Sequence, residues 1–147
     1  MVTLYGKYIY VLAGKNRLVI PPMFRERLRE EGGRHFIVSC GPDRCLCLFL
    51  PSQWAEAARE EKFLSDDKEK ARALRRFLFS SAFEAEPDAQ GRILLNRSHI
   101  DFAGIKKNAV VCGAGHKAEI WAEEVWNEYE ARNIRSNLKD FGKTFDL

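Results

Sequence analysis

Apolar residues along this chain come in short runs separated by turn-forming clusters, and the same order of runs appears twice. Tyr8, Ile9, Tyr10, Val11 and Leu12 are aromatic, β-branched or aliphatic without interruption and predict a strand over 8–12. Ala13, Gly14, Lys15 and Asn16 read as a turn into a second strand over 17–20, which Pro21 and Pro22 end. Pro22 can open a brief helix with Phe24 and Leu28 on one face, stopped by Gly32 and Gly33. Strands are predicted over 36–38 and 45–49, and Ser52 is the N-cap candidate for a helix carrying Trp54, Ala57 and Ala58. The order then returns. It predicts strands over 83–86 and 92–95, a short helix over 98–102, strands over 109–112 and 118–121, and a helix over 123–135. Between the two series, Ala71, Leu74, Phe77 and Leu78 recur at helical spacing within 66–81, with charges on the opposite face. From 136 to 147 the chain is polar without a clear period, and is expected to be disordered or ordered only by a neighbouring subunit.

The recurrence can be aligned residue by residue. Arg17, Leu18, Val19 and Ile20 lie over Arg92, Ile93, Leu94 and Leu95 at an offset of 75. Further on the offset is 72, where Gly32 meets Gly104, Cys40 and Gly41 meet Cys112 and Gly113, and Trp54 meets Trp126. The chain thus reads as a tandem duplication, with a first repeat over 4–58, a connecting helix over 59–81, a second repeat over 82–135 and a tail over 136–147. A unit of about 55 residues is near the lower limit for an independent core. Two such units are more easily stabilised by sharing one, so the expected fold is mixed α/β, mainly β with short helices. The copies would be intertwined about a pseudo-twofold axis, with a sheet edge or apolar rim open to self-association.

Composition narrows the function only where it is resolved along the chain. At 147 residues with 46% hydrophobic and 31% charged residues, the sequence is that of a globular protein and excludes wholesale disorder or a collagen-like fibre. No apolar run is long enough for a membrane-spanning helix, and no export signal precedes the first strand, so a cytoplasmic location is expected. The net charge of +3 is uninformative as a total. Within 1–29, however, Lys7, Lys15, Arg17, Arg25, Arg27 and Arg29 face a single acid, Glu26. An anionic partner is therefore to be sought at the first hairpin. Cys40, Cys45, Cys47 and Cys112 lack zinc-ligand spacing and read as small buried residues with free thiols. His35, His99 and His116 are scattered, and neither a catalytic constellation nor a phosphate loop is present, so no enzyme, metal or cofactor is expected.

The second turn carries the most specific pattern. Asp88 can accept backbone N–H groups inside the tight turn, Gly91 supplies a positive φ, and Arg92 leaves the turn at a fixed place on the rim. The hairpin Asp88, Ala89, Gln90, Gly91, Arg92 and its counterpart ending in Arg17 resemble the MraZ family of bacterial DNA-binding transcriptional regulators, associated with the division and cell-wall gene cluster. Further matching features are Arg17 to Pro21 with Phe24 and Arg25 after them, and the strand-to-Trp segments ending at Trp54 and Trp126. The resemblance covers about residues 4–135.

It implies two copies of an AbrB-like swapped-hairpin fold per chain, assembly into a ring, association with the nucleoid and hairpin residues facing double-stranded promoter DNA. Carried over by position, Arg17 and Arg92 match the motif arginine, and Lys15 the basic residue before the first of them. Lys7 and Arg25 join them as candidate DNA contacts, while Gly14, Asn16, Asp88 and Gly91 are the turn-structuring candidates. The first copy departs from the pattern, with Ala13 in place of Asp and Asn16 in place of Gly. Asn is the next-best residue for a left-handed backbone, so the turn is expected to persist without a carboxylate of its own. Residue chemistry alone leaves two readings of Arg17 and Arg92. They either contact a duplex, neutralising phosphates or bonding guanine, or sit as rim arginines paired with acids. At the level of the whole chain the alternatives to a sequence-specific regulator are a nonspecific architectural protein and a ring-forming scaffold.

Overall fold

In the computed structural model, which describes residues 2–147, the first copy forms β1 (Lys7–Val11), β2 (Arg17–Val19), α1 (Pro22–Glu30), β3 (Phe36–Cys40), β4 (Leu46–Phe49) and α2 (Pro51–Ala57). The helix α3 (Lys68–Ser81) leads into the second copy, and Asp67 caps it by accepting the Lys70 N–H at 2.9 Å. The second copy forms β5 (Phe83–Ala85), β6 (Arg92–Leu94), α4 (Arg97–Ala103), β7 (Asn108–Gly113), β8 (Ala118–Ala122) and α5 (Glu123–Tyr129).

Six strands make one antiparallel sheet in the order β1-β7-β8-β4-β3-β5, and β2 pairs with β6 in a separate two-stranded ribbon. Exchanging each strand for its repeat mate reproduces the six-strand order read backwards, which is the signature of a pseudo-twofold axis. The first strand of each copy pairs with the other copy, β1 on β7 and β5 on β3. Equivalent strands also meet on the axis: Leu18 faces Ile93 in the ribbon, and Cys47 faces Glu119 between β4 and β8. The hairpins are therefore swapped between the copies, and neither copy has a complete sheet without the other.

Alternation along the strands divides the apolar residues between two layers. Leu46, Leu48, Val111 and Ile120 point to the main core with Leu18, Ile20, Phe24, Ile93, Leu95 and Ile100 from the ribbon, α1 and α4. On the opposite face, Val110 and Trp121 pack under Trp126 and Tyr129 of the α5 run, and Ile37 and Phe49 under Trp54 of α2. The cysteines are free and buried, and desolvation pushes the Cys112 thiol up to about 12.

Three local expectations need correction. Ser52 does not cap α2; Leu50 stands at that position, and the buried Gln53 side chain accepts the Leu50 N–H at 3.0 Å. Pro51 is the first helical residue because it needs no N–H partner there, and Ser52 is instead bound through its own N–H and hydroxyl to the Glu31 carboxylate. The helix expected over 123–135 is α-helical only to Tyr129 and widens to a π turn over Glu130–Ile134. The tail is helical as well, with a 3-10 turn over Arg135–Asn137 leading into α6 (Leu138–Thr144). It is exposed nearly all round, so it has no buried stripe to write a period into the sequence.

Candidate nucleic-acid interface

The β2·β6 ribbon projects one pair of residues inward and four outward. Leu18 and Ile93 are fully buried, while Arg17, Val19, Arg92 and Leu94 occupy the outer face. Because Arg17 stands opposite Leu94 and Val19 opposite Arg92, the two arginines are diagonal neighbours across the pseudo-axis. Diagonal positions on an antiparallel pair lie about 7–8 Å apart.

Each ribbon strand is entered through a turn, and the two turns fix their arginines differently. In the second, the Asp88 N–H donates to the Arg92 carbonyl at 2.8 Å and the Gly91 N–H to the Asp88 carbonyl at 2.9 Å. The Asp88 carboxylate accepts the N–H groups of Gln90 and Arg92 on Oδ1, at 2.9 and 3.0 Å, and Arg92 Nε on Oδ2 at 3.0 Å. Those bonds, the Arg92 N–H foremost, hold the carboxyl below its ordinary range. Gln90 Oε1 accepts a further bond from Arg92 at 2.6 Å. In the first turn the Ala13 N–H donates to the Arg17 carbonyl at 2.8 Å, but among the described residues no side chain braces the loop.

Gly91 has φ +77° and Asn16, its repeat mate, φ +61°. Their carbonyls make matching bonds across the axis, accepting the N–H groups of Ile20 and Leu95 at 2.9 Å each. The left-handed backbone of the first turn thus falls on Lys15 and Asn16, and Gly14 lies outside that region. Gly14 has no steric role either, since a Cβ there would meet nothing within 4 Å.

The remaining candidates separate. Lys15 is exposed at the tip of its turn and makes no ion pair among the described residues. Arg25 lies under the second turn: its Nε donates to the Ile20 carbonyl at 3.0 Å and its guanidinium lies against Gly91. Lys7 is not part of this cluster. It stands at the far end of β1 from the turn, 3.7 Å from Glu130 and 5.9 Å from the Trp126 ring centre. Five residues of extended strand separate the two ends, roughly 3.3 Å per residue, so Lys7 cannot share a contact with Lys15. Lys7 is instead an ion-pair and cation–π partner of the α5 run and the turn after it.

Two grooves flank the ribbon as repeat mates. One, of about 560 Å³, is lined by residues 12–16 with Arg97, Asp101, Gly104 and Lys106. The other, of about 280 Å³, has Arg25, Arg29, Arg34, Glu86 and Asp88. Lys106 and Arg97 join Lys15 in this groove from the second half of the chain, whose charge is neutral overall and does not point to them. The doublet Lys106-Lys107 just ahead of β7 was the available signal. In the first groove Lys15, Arg97 and Lys106 face the single acid Asp101, which pairs with Arg97 at 3.3 Å.

Two tandem swapped-hairpin copies that share one core and raise a two-stranded ribbon with Arg17 and Arg92 on its outer face define a class of duplicated swapped-hairpin proteins. Comparison with known sequences identifies the family. The family described as "MraZ protein, putative antitoxin-like" matches this chain twice, over residues 4–77 and 78–146. A protein of Desulforamulus reducens named "Transcriptional regulator MraZ" is 40% identical over 127 residues, 86% of this chain and 87% of that protein. One of the same name from Thermoanaerobacter sp. (strain X514) is 37% identical over 143 residues, 97% of this chain and 96% of its own length. The chain belongs to the MraZ family.

Proposed function

We propose that this chain is a sequence-specific, DNA-binding transcriptional regulator and not an enzyme, acting on the promoter of its own division and cell-wall gene cluster. The observation that carries the reading is the outward pair Arg17 and Arg92 on a two-stranded ribbon, with Lys15, exposed and without an ion pair among the described residues, at the tip beside it. A ribbon of that width enters the major groove, where a guanidinium bonds guanine bidentately and an ammonium neutralises phosphate. The names of the relatives support the same class of function.

Binding of repeated DNA boxes by a ring of subunits completes the proposal. β1 is an edge strand paired on one side only, and its outer face leaves Ile9 and Val11 more than half exposed. Such an edge favours self-association, and several ribbons on one assembly raise the effective concentration of each at adjacent boxes. The site of action would be the nucleoid in the cytoplasm; among the described residues no helix is long and apolar enough to cross a membrane.

A mobility-shift titration with DNA from upstream of the chain's own gene, against scrambled DNA of equal length over a salt series, tests this. Preference for the upstream DNA is expected, with affinity falling steeply with salt. Arg17→Ala is expected to lower the preference by about 1–3 kcal/mol, the range for one bidentate arginine–guanine contact. Equal, salt-sensitive binding of both DNAs would leave a nonspecific architectural protein. No binding by an intact assembly would leave a scaffold.

A further inference from the structure

The two motif arginines draw on a single carboxylate. Arg92 has two side-chain acceptors within its own turn, Asp88 Oδ2 and Gln90 Oε1. The repeat mates of those residues are Ala13 and Lys15, so Arg17 finds a methyl group and a second cation where Arg92 finds acceptors. Among the described residues the one ion-pair partner of Arg17 is Asp88 of the other copy, with Arg17 Nη1 3.6 Å from Oδ2. The other acids that line the two flanking grooves are engaged elsewhere: Glu86 faces Arg34 at 3.6 Å and Asp101 faces Arg97 at 3.3 Å.

We propose that Asp88 is a positioning residue for both hairpins, holding Arg92 within its own turn and Arg17 across the pseudo-twofold axis. It takes over for the first copy the role that Ala13 cannot perform. This rests on the reading of the ribbon as the DNA-contacting face. The physical content is pre-organisation: an arginine has many rotamers to lose, and a partner that already restricts them lowers the entropy lost on contact with DNA. The ion pair that positions Arg17, at 3.6 Å, is longer than the hydrogen bond on Arg92, at 3.0 Å, and has no second acceptor, so Arg17 is the more easily released to a phosphate or base. The swapped fold makes the arrangement possible, because it places the two turn exits side by side on one ribbon.

Asp88→Asn separates positioning from turn structure, since the amide oxygen still accepts the Gln90 and Arg92 N–H groups while the charge on the Oδ2 side is removed. Removing an acid beside DNA also raises nonspecific affinity, so the quantity to compare is the preference for upstream over scrambled DNA. In wild type the effect of Arg17→Ala on that preference is expected to exceed its effect in the Asp88→Asn background by about two- to five-fold. Ala13→Asp added to Asp88→Asn is expected to restore the difference by giving Arg17 a carboxylate in its own turn. Side-chain Nε–Hε NMR of the DNA-free protein supplies a second readout: the Arg17 resonance should broaden or shift in Asp88→Asn and move again on Ala13→Asp. An Arg17 resonance and an Arg17→Ala effect that are both indifferent to Asp88 would overturn the proposal. Should Asp88→Asn fail to fold, Ala13→Asp in the otherwise natural chain still tests it. That variant should move the Arg17 resonance and leave that of Arg92 in place, and no movement of Arg17 overturns the idea. The NMR arm involves no DNA, so an absence of DNA binding would remove the functional reading while leaving the ion pair to be judged alone.

Discussion

Gly91 and Asn16 occupy the same place in the two copies with the same left-handed backbone, yet replacement by alanine is expected to cost far more at Gly91. At Asn16 the only penalty is conformational: φ is +61°, and an L-residue forced to hold that region loses about 1–2 kcal/mol, of which Asn itself already bears a part. At Gly91, φ is +77° and an added Cβ would lie 2.4 to 2.7 Å from three atoms of the Arg25 guanidinium group. The arginine must move, and its bond from Nε to the Ile20 carbonyl at 3.0 Å is then lost. A hydrogen bond with one charged partner contributes about 1.5–3 kcal/mol, so Gly91→Ala should destabilise by roughly 3 kcal/mol in all, against about 1 kcal/mol or less for Asn16→Ala. For a chain of this length that corresponds to a drop in Tm of roughly 6–12 °C for Gly91→Ala and about 2–4 °C or less for Asn16→Ala. Thermal unfolding followed by circular dichroism, with protein concentration held constant because self-association shifts apparent stability, measures both. Repeating Gly91→Ala in an Arg25→Ala background should reduce its effect to the conformational penalty alone, about 1–2 kcal/mol. Equal effects at the two sites in the natural background would refute the packing of Arg25 on Gly91 and with it the asymmetry of the turns.

Two further outcomes follow from the same geometry. The Asp88 carboxyl is held below its ordinary value by the bonds it accepts in the folded turn, so its contribution to stability is present above about pH 4, the carboxylate value of an unfolded chain. It is lost as pH falls through the lower folded value, so the stability difference between wild type and Asp88→Asn should be constant near neutrality and shrink only in acid. A difference that already varies between pH 5 and 8 would contradict this. At the start of α2, Gln53→Ala leaves the buried Leu50 N–H without its acceptor and should cost about 1–3 kcal/mol. Ser52→Ala, which loses one exposed hydroxyl bond to Glu31, should stay within about 1 kcal/mol; denaturant titration of the two variants orders them, and the reverse order would restore Ser52 as the cap.

Most elements were legible in sequence because their causes are local. The strand at Lys7–Val11 follows from its aromatic and β-branched residues, the helix at Pro22–Glu30 from a proline at its first position, and the Gly91 turn from a carboxylate and a glycine at fixed spacing. The duplication was legible for the same reason, since two copies of one local pattern leave two copies of one spelling. Where local signals fail, the reason is equally physical. Ser52 has the chemistry of a cap, but Pro51 needs no donor partner and moves the helix start ahead of it; Leu138–Thr144 is a helix that buries nothing and so leaves no pattern.

The sequence by itself therefore determined the repeat, the identity of its elements and the residues on which the turns depend. Only the tertiary structure decided which copy each strand joins. The alternation along Lys7–Val11 would be satisfied equally against β3 or β7, because the two copies offer the same pattern; it is β7 that receives it. That exchange carries Lys7 to Glu130, sets Arg17 diagonal to Arg92, and brings one carboxylate, Asp88, within reach of both arginines. Arg17 and Asp88 are 71 positions apart and Lys7 and Glu130 are 123 apart, and no local preference encodes such contacts.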